Sequence, residues 1–437
     1  MKQELILLLK QRSIVLLLVI STLLSSISLF NGWQNIQHIR AQIQHGQLEE
    51  RRHHASQMQA LSSRHQDGNI DAGDVGYYVF HHVYHHPSEW SFIALGNRLV
   101  TPYVQRIRLL GLQGQLYDGE SHHPEYVMLG AFDYAFWLVF FMPLICIAFM
   151  HDLKASEIQA QRAIFLGTMI KSTARFWARR ILLRWALVLA TFILPVLFFA
   201  NIAGLATPSL LQVTLVTLFY SLFWTAICAM VSLSNRANNA NFNAMLLASL
   251  WLCICIILPN IAQLWLHHRY PVQEGSEIAL QHRQLVHNAW DLPKTDTLNP
   301  FYKHYPQWAN TPAVTGRFHW KWYYAFQHMA DVNLAAQVQA RENSLRLRDE
   351  ASKTISFLLP SLWVQRQLEN IAQSNVMHLL DHRQKITDYH TKLRHALYPY
   401  LFTDKPMAPE AFISLPKFTS LDYPEEDVTY LHYLSVE

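Results

Sequence analysis

The sequence predicts a mainly α, polytopic membrane protein in which five transmembrane helices carry a mostly helical periplasmic domain built from two insertions. Five strongly apolar stretches predict the helices, because each is close to the about 20 residues that a helix needs to cross a bilayer. Their spacing predicts the domain: the first stretch stands alone near the N-terminus, and the other four crowd between residues 129 and 266. A long polar segment therefore follows the first stretch, and a longer one follows the fifth.

The apolar stretches contain almost no charged residues, as is expected of segments that lie in the hydrocarbon core of a membrane. Asp133 and Arg184 lie within or beside the second and third stretches, near their ends, where a charged side chain reaches the headgroup layer. The predicted spans cover residues 13–30, 129–150, 185–203, 210–233 and 244–266. A cleavable signal peptide at residues 1–30 is the competing interpretation. We disfavour it because the apolar run is long and no small-x-small cleavage pattern follows it.

Basic residues in the short connecting segments predict the orientation. Lys2, Lys10 and Arg12 precede the first span. The segment between the second and third spans contains the basic residues Lys154, Arg162, Lys171, Arg175, Arg179 and Arg180. Since Lys and Arg concentrate in cytoplasmic loops, both segments are predicted inside the cell, and the two long polar segments outside it.

These boundaries divide the chain into four parts. The parts are a cytoplasmic N-terminus with the first span (1–31), a first periplasmic insertion (32–128), spans two to five with a cytoplasmic coupling segment at 151–180 (129–266), and a periplasmic C-terminal region (267–437). We expect the two periplasmic parts to form one composite domain.

The polar parts show mostly helical patterns. Apolar residues at helical spacing predict that the first span continues outward as a helix over residues 33–66. Residues 269–321, dense in Pro, His and Trp, are predicted to form loops. Two long helices are predicted over 327–358 and 362–397, with residues 359–361 as their joint.

Sequence signatures of catalysis are absent. There is no Gly-rich phosphate loop, no His-Glu-x-x-His pattern and no Gly-x-Ser-x-Gly elbow, so we expect no catalytic residue and no directly bound cofactor. The net charge of +4 reflects the basic cytoplasmic segment, so nucleic acid is not an expected partner. All four cysteines fall within predicted spans, which leaves none for disulfides in the polar parts.

Histidine is the conspicuous candidate for chemistry. The chain has 24 histidines, and all but His151 are predicted on the periplasmic side. On a helix, His81 with His85 and His82 with His86 would form pairs at the four-residue spacing that suits a metal ion. A turn in a packed domain is the alternative, because proline and aromatic residues surround these histidines.

Several strings of residues carry a resemblance to a known family. The strings occupy residues 86–92, 94–102, 106–108, 130–136, 323–331, 359–361 and 398–402. With them, the chain resembles the permease subunits of bacterial ABC transporters of the type-2 exporter class, in the subgroup with a large periplasmic domain of unknown function after the first transmembrane helix. The resemblance implies an inner-membrane subunit that pairs with a second copy or a sister permease. It also implies two copies of a separate ATPase, which bind ATP and Mg²⁺.

The resemblance further implies where the ATPase would dock. In such permeases a short cytoplasmic helix between the second and third spans makes the contact. Here Asp152 and Glu157 match the acidic positions of that segment, and Arg162, Lys171 and Arg175 supply its basic face. An interfacial helix that only anchors aromatic residues in the headgroups is the alternative.

The chain departs from the family pattern in two places. Gln161 and Arg162 replace the usual Gly-Thr after the acidic residue, and Ile170 replaces a later proline. Moreover, the family normally has a sixth span, whereas residues 355–364, the most apolar stretch after residue 266, are too short and contain Pro360.

Two questions of function stay open. Asp133 either lines an exit path for cargo or caps the start of the second span. The chain as a whole is expected to be an export-type permease whose outward domains gate or hand over cargo to a periplasmic partner. The alternative is a membrane-anchored, His-rich periplasmic protein that binds metal, senses or acts as a scaffold. The transported substrate does not follow from the sequence.

Overall fold

Helices dominate the protein, as the sequence predicts. The computed structural model describes residues 2–64, 68–99, 101–118, 132–162, 172–205, 207–234 and 239–418. Lys171, part of the predicted coupling segment, and residues 129–131, the predicted start of the second span, lie outside these ranges. Within them, a two-stranded antiparallel ribbon is the sheet, and the remaining ordered elements are helical. The mainly α class is therefore confirmed.

The helices and strands are numbered separately in chain order. The helices are α1 (Lys2–Lys10), α2 (Arg12–Ser62), α3 (Ala72–Tyr78), α4 (Leu112–Tyr117), α5 (Tyr134–Gln159), α6 (Thr173–Ile202), α7 (Thr207–Leu233), α8 (Ala240–Arg269), α9 (Gly275–Ala289), α10 (Lys294–His304), α11 (Trp320–Ser356), α12 (Pro360–Ile371), α13 (Val376–Thr403) and α14 (Pro409–Ile413), and the strands are β1 (His81–Tyr84) and β2 (Val104–Ile107).

Five of these helices, α2, α5, α6, α7 and α8, are long and apolar enough to cross a membrane. They correspond to the five predicted spans, and we call them the span bundle. The helices extend beyond the apolar stretches: α6 begins at Thr173, where Ser172 caps it by accepting from the Arg175 N–H. Hydropathy locates the apolar part of a helix, whereas the cap decides where the helix begins.

Side-chain hydrogen bonds join the spans where the helices are irregular. The segment Trp137–Phe141 of α5 forms π turns, which free carbonyl groups from their regular partners. The Tyr220 hydroxyl donates to the Val139 carbonyl at 2.7 Å, and the Trp251 ring N–H donates to the Phe140 carbonyl at 3.0 Å. Helices α7 and α8 thus satisfy polar groups that an apolar environment cannot.

Helix α2 belongs both to the span bundle and to the polar part of the protein. At about 1.5 Å per residue its 51 residues extend about 77 Å. Its continuation past the first span carries the buried residues Ile36, Ile39 and Ile43, which confirms the helix predicted over 33–66 as far as Ser62. At Gly32, a Cβ atom would lie 2.0 Å from the Phe92 carbonyl oxygen. The close approach of α2 to the backbone of Phe92 therefore requires glycine at this position.

The two polar parts of the chain share one hydrophobic core, and we call their assembly the polar domain. Its core joins residues of α3, the ribbon and α4 to residues of α9, α11 and α13. Polar contacts follow the same seam. The Asp331 carboxylate of α11 accepts from the N–H groups of Leu112 and Gln113 at 2.8 and 2.9 Å, so a residue of the second part caps a helix of the first.

The predicted loops over residues 269–321 are wrong in part, because α9 and α10 lie there. The prolines misled the prediction: Pro293 immediately precedes α10, where its missing N–H costs nothing. The second long helix, predicted over 362–397, is instead two helices, α12 and α13. They separate at Gln373, whose φ of 53° cannot continue a right-handed helix.

Asp331 also forms a buried ion pair with Arg394 of α13. Burial alone would raise the pKa of the Asp331 carboxyl, but the adjacent guanidinium and His282 hold its pKa below the usual value. The carboxylate therefore stays charged at neutral pH and depends on Arg394 for compensation.

Removing this guanidinium should destabilise the polar domain. We expect Arg394→Met to lower the free energy of unfolding by about 3 kcal/mol, because it leaves a buried carboxylate uncompensated. The matched control is Arg283→Met, which removes the partner of Asp118 from a pair whose two side chains are 66% and 63% exposed. It should cost about 0.5 kcal/mol or less. Thermal unfolding of the purified protein in detergent measures both effects. Equal losses of stability in the two variants would contradict the role of Arg394 as the partner that the buried Asp331 needs.

Candidate functional site

A cluster of charged side chains lies at the end of the span bundle that is remote from the polar domain. We call it the basal cluster. Its members come from α1, the end of α5, the connection that follows α5, and the first turns of α6, and they are Glu4, Asp152, Glu157, Arg162, Arg180 and Arg184.

Glu157 is the centre of the basal cluster. Its carboxylate lies 2.7 Å from the Arg162 Nε atom and 2.8 Å from the Arg180 Nη1 atom. Arg180 in turn donates to the Glu4 carboxylate at 2.7 Å and stacks its guanidinium on the Trp177 ring. The two arginines compensate the buried Glu157 side chain, so the cluster fixes α1 and α6 against the end of α5.

A second contact holds the same end of α5. Arg184 donates to the Phe149 carbonyl and lies 2.9 Å from the Asp152 carboxylate. Asn243 of α8 donates to the His151 carbonyl at 3.1 Å. The turn that ends α5 is therefore tied to α6 and to α8, and any displacement of this turn acts directly on both helices.

Three of the five predicted coupling residues thus meet in the basal cluster. Asp152 and Arg162 remain accessible, with 36% and 61% of their side chains exposed, whereas Glu157 is buried beneath them. Arg175 is exposed on the first turn of α6, outside the basal cluster. Lys171 falls outside the described residues.

Sequence reasoning missed Glu4 and the roles of Arg180 and Arg184. Glu4 pairs with a residue 176 positions away, and no local pattern announces such a contact. The available signal was a single acidic residue in an otherwise basic N-terminal segment.

Asp133 occupies the other end of α5, next to the polar domain. One carboxylate oxygen accepts from the Phe136 N–H and the other from the Leu95 N–H, both at 2.9 Å. The first bond is an N-cap of α5, and the second attaches the first polar part to the span. The geometry agrees with the capping interpretation, and a role in an exit path stays a prediction.

The four predicted histidines do not form helical pairs, so that expectation is wrong. His81 and His82 lie on strand β1, where successive side chains point to opposite faces, and pairing with β2 fixes this register. His85 lies beyond the strand and stacks on His382 with ring centroids 4.2 Å apart. The helical spacing misled the prediction because the partner strand is far away in the sequence.

His81 instead meets two residues of α2. Ligand atoms of Glu50, His54 and His81 all lie within 4.8 Å of one another, and we call these residues the His/Glu cluster. Glu50 and His54 are one helical turn apart on α2, which places them on the same face. Burial and the neighbouring histidines keep the pKa of His81 well below its usual value, so its ring is neutral at pH 7.

Further hydrogen bonds orient the His/Glu cluster. The Glu50 carboxylate accepts from the His82 N–H and from the Tyr84 hydroxyl, both at 2.7 Å, and a ring nitrogen of His54 lies 2.8 Å from the Phe80 carbonyl. Such outer contacts are typical of metal ligands. Two imidazoles and one carboxylate form a donor set that suits Zn²⁺ or Cu²⁺.

The fold and these sites define a mainly α protein with five helices long and apolar enough to span a membrane and a polar domain on one end of them. Within it, residues 275–420 match a family model described as "Domain of unknown function (DUF3526)". The match covers α9 to α14, the second part of the polar domain, and less than half of the chain. No curated protein and no solved structure matches the chain.

Proposed function

We propose that the chain is the permease subunit of an ATP-driven, export-type ABC transporter in a bacterial inner membrane. It would depend on two copies of a separate ATPase for ATP and Mg²⁺. The basal cluster is the observation that supports this most strongly. It offers accessible charges on and beside a turn that is tied to α6 and α8, as a docking point for a force-producing partner requires.

The orientation of the proposed subunit follows from its charges. The basal end contains α1 and the basic first turns of α6, and Lys and Arg favour the cytoplasmic side. The basal cluster would then face the cytoplasmic ATPase, and the polar domain would lie in the periplasm.

The contacts suggest how ATP hydrolysis would reach the polar domain. A partner that pulls on Asp152 and Arg162 displaces the turn at the end of α5, and the Arg184 contact carries α6 with it. At the far end of α5, Asp133 is bonded to Leu95 of the polar domain. A tilt of α5 would therefore change the position of the polar domain. In this proposal, that movement gates the transport path or hands over the cargo.

A second permease copy, or a sister permease, would complete the transport path. Small side chains on α6, Ala186 and Ala190, line an apolar groove together with Thr214 and Leu218 of α7. Small residues let membrane helices approach closely, so this groove is a suitable surface for the paired subunit.

Docking of an ATPase is tested by charge reversal at the accessible basic residue. We expect the wild-type protein to copurify with a phosphate-loop ATPase encoded beside its gene and to raise that enzyme's ATP hydrolysis. Arg162→Glu should weaken the association about tenfold, because it reverses an exposed charge and also removes one of the two guanidinium partners of Glu157.

Arg283→Glu is the matched control, since Arg283 is about as exposed as Arg162 but lies on the polar domain. It should leave the association unchanged, and the melting temperature of each isolated variant shows that its fold is kept. An equal loss in both variants, or no association of the wild-type protein, would refute the proposal.

A second candidate function, metal binding in the periplasm, is supported by the His/Glu cluster. We expect the purified, metal-free protein to take up one Zn²⁺ per chain, and His54→Gln or His81→Gln to abolish this uptake. His45→Gln, an exposed site on the same helix, should bind as the wild type does. Calorimetric titration measures the uptake. Undiminished binding by His81→Gln would exclude the cluster, while stoichiometric uptake without any ATPase partner would favour this function over the first.

A further inference from the structure

The connection between α11 and α12 returns to the span bundle from the polar domain. The first half of α11 lies in the core of the polar domain, and its second half runs back along α8. Arg341 donates to the Gln273 carbonyl at 2.9 Å, and two turns later Arg348 donates to the Tyr270 carbonyl at 3.0 Å. Gln273 and Tyr270 directly follow α8, and the Arg348 side chain also lies 3.3 Å from a ring nitrogen of His267 in the last turn of α8. Later residues of α11 thus meet earlier residues of the chain, so the helix points toward the bundle.

The next contact lies beside the bundle itself. After the turn, the Ser361 hydroxyl of α12 donates to the Ile254 carbonyl at 2.9 Å. Ile254 belongs to the π turns of α8, which leave carbonyl groups without regular helical partners. It precedes Leu266, the last residue of the predicted fifth span, by twelve residues, or about 18 Å along the helix.

The turn has one face on the bundle and one face open. Val364 and Leu368 of α12 are fully buried in the same hydrophobic core as the spans. Phe357 and Leu358, in contrast, are 72% and 82% exposed. No charged residue occurs between Lys353 and Arg366. Two large apolar side chains are therefore exposed just before Ser361, which contacts α8. Helix α8 carries exposed apolar residues of its own shortly after this contact, Ile257, Leu258 and Ile261.

The backbone of the turn is also suited to an apolar environment. The N–H groups of Phe357, Leu358 and Leu359 all donate to carbonyl groups of the preceding turn of α11. The next residue, Pro360, has no N–H group. Every N–H from 357 to 360 is thus satisfied within the chain, as is required where water cannot reach.

We propose that residues 355–360 form a re-entrant turn whose tip inserts into the half of the bilayer next to the polar domain, where Phe357 and Leu358 contact lipid acyl chains. Lipid is the occupant because the exposed face of the turn continues the exposed apolar surface of α8. The segment too short to be a sixth span thereby enters the membrane and leaves it on the same side. This inference requires that the spans lie in a bilayer, and it does not depend on the transport function.

Site-directed spin labelling in lipid tests the re-entrant turn directly. The four native cysteines, which lie in the spans, are replaced by serine or alanine, and Leu358→Cys is labelled in the full chain reconstituted in phospholipid nanodiscs. Leu264→Cys, on the exposed face of α8, is the lipid control, and Leu292→Cys, exposed on the polar domain, is the water control. Phe357→Cys provides a second, independent site in the turn.

We expect the labels at 357, 358 and 264 to collide preferentially with molecular oxygen, which concentrates in hydrocarbon. The label at 292 should collide preferentially with a water-soluble nickel chelate. Collision with the chelate at 357 and 358 would place the turn in water and overturn the proposal. Low collision rates with both reagents would show a protein partner, such as a second copy, and would overturn it equally.

Discussion

Helix α2 is one unbroken helix that has to suit two environments. Its first part is apolar enough to lie in hydrocarbon, and its last part packs against the polar domain. In an apolar environment every backbone polar group needs a partner within the segment, so the first span has to be a helix. The helix does not end where the apolar residues end. Its continuation supplies Ile36 and Ile39 to the hydrophobic core around the spans, Leu61 to the core of the polar domain, and Glu50 and His54 to the His/Glu cluster. Because a continuous helix is stiff, the first span sets the orientation of the polar domain relative to the span bundle.

Beside the apolar packing of α12 on the spans, two short polar contacts connect the polar domain to them. Asp133 holds Leu95 at the start of α5, and the Ser361 hydroxyl holds α12 on α8. At the opposite end, the basal cluster fixes α5 against α6 through Arg180 and Arg184. The bundle is thus tied at both ends of α5, and this supports a proposed role of that helix as the element that transmits motion from an ATPase to the domain.

The sequence predicts features that depend on local spacing and misses those that depend on distant partners. Apolar runs of span length and the helical spacing of residues 33–62 are local, and the structure confirms both. The strand that carries His81 exists because β2 pairs with it more than twenty residues later, so a local pattern of four histidines was mistaken for a helix. The same holds for the pair of Glu4 with Arg180. Asp152, Glu157 and Arg162 were predicted from the family resemblance, which concerns one short continuous segment. That resemblance did not predict their pairing with Arg180 and Arg184 of α6.

Both polar parts of the chain fold around one hydrophobic core, and we propose that this body lies on the outer side of the membrane. Ile70, in the first part, and Met407, in the second, exchange both backbone hydrogen bonds as an antiparallel bridge, at 2.8 and 2.9 Å. Such a pair has Cα atoms about 5.5 Å apart, which suits a disulfide. The most direct measurement is therefore disulfide formation in intact bacterial cells by the pair Ile70→Cys and Met407→Cys, compared with Ile70→Cys and Ser276→Cys. We expect the first pair to be oxidised and the second to stay reduced, because disulfides persist in the periplasm. A first pair that stays reduced, or a second pair that is oxidised to the same extent, would contradict it.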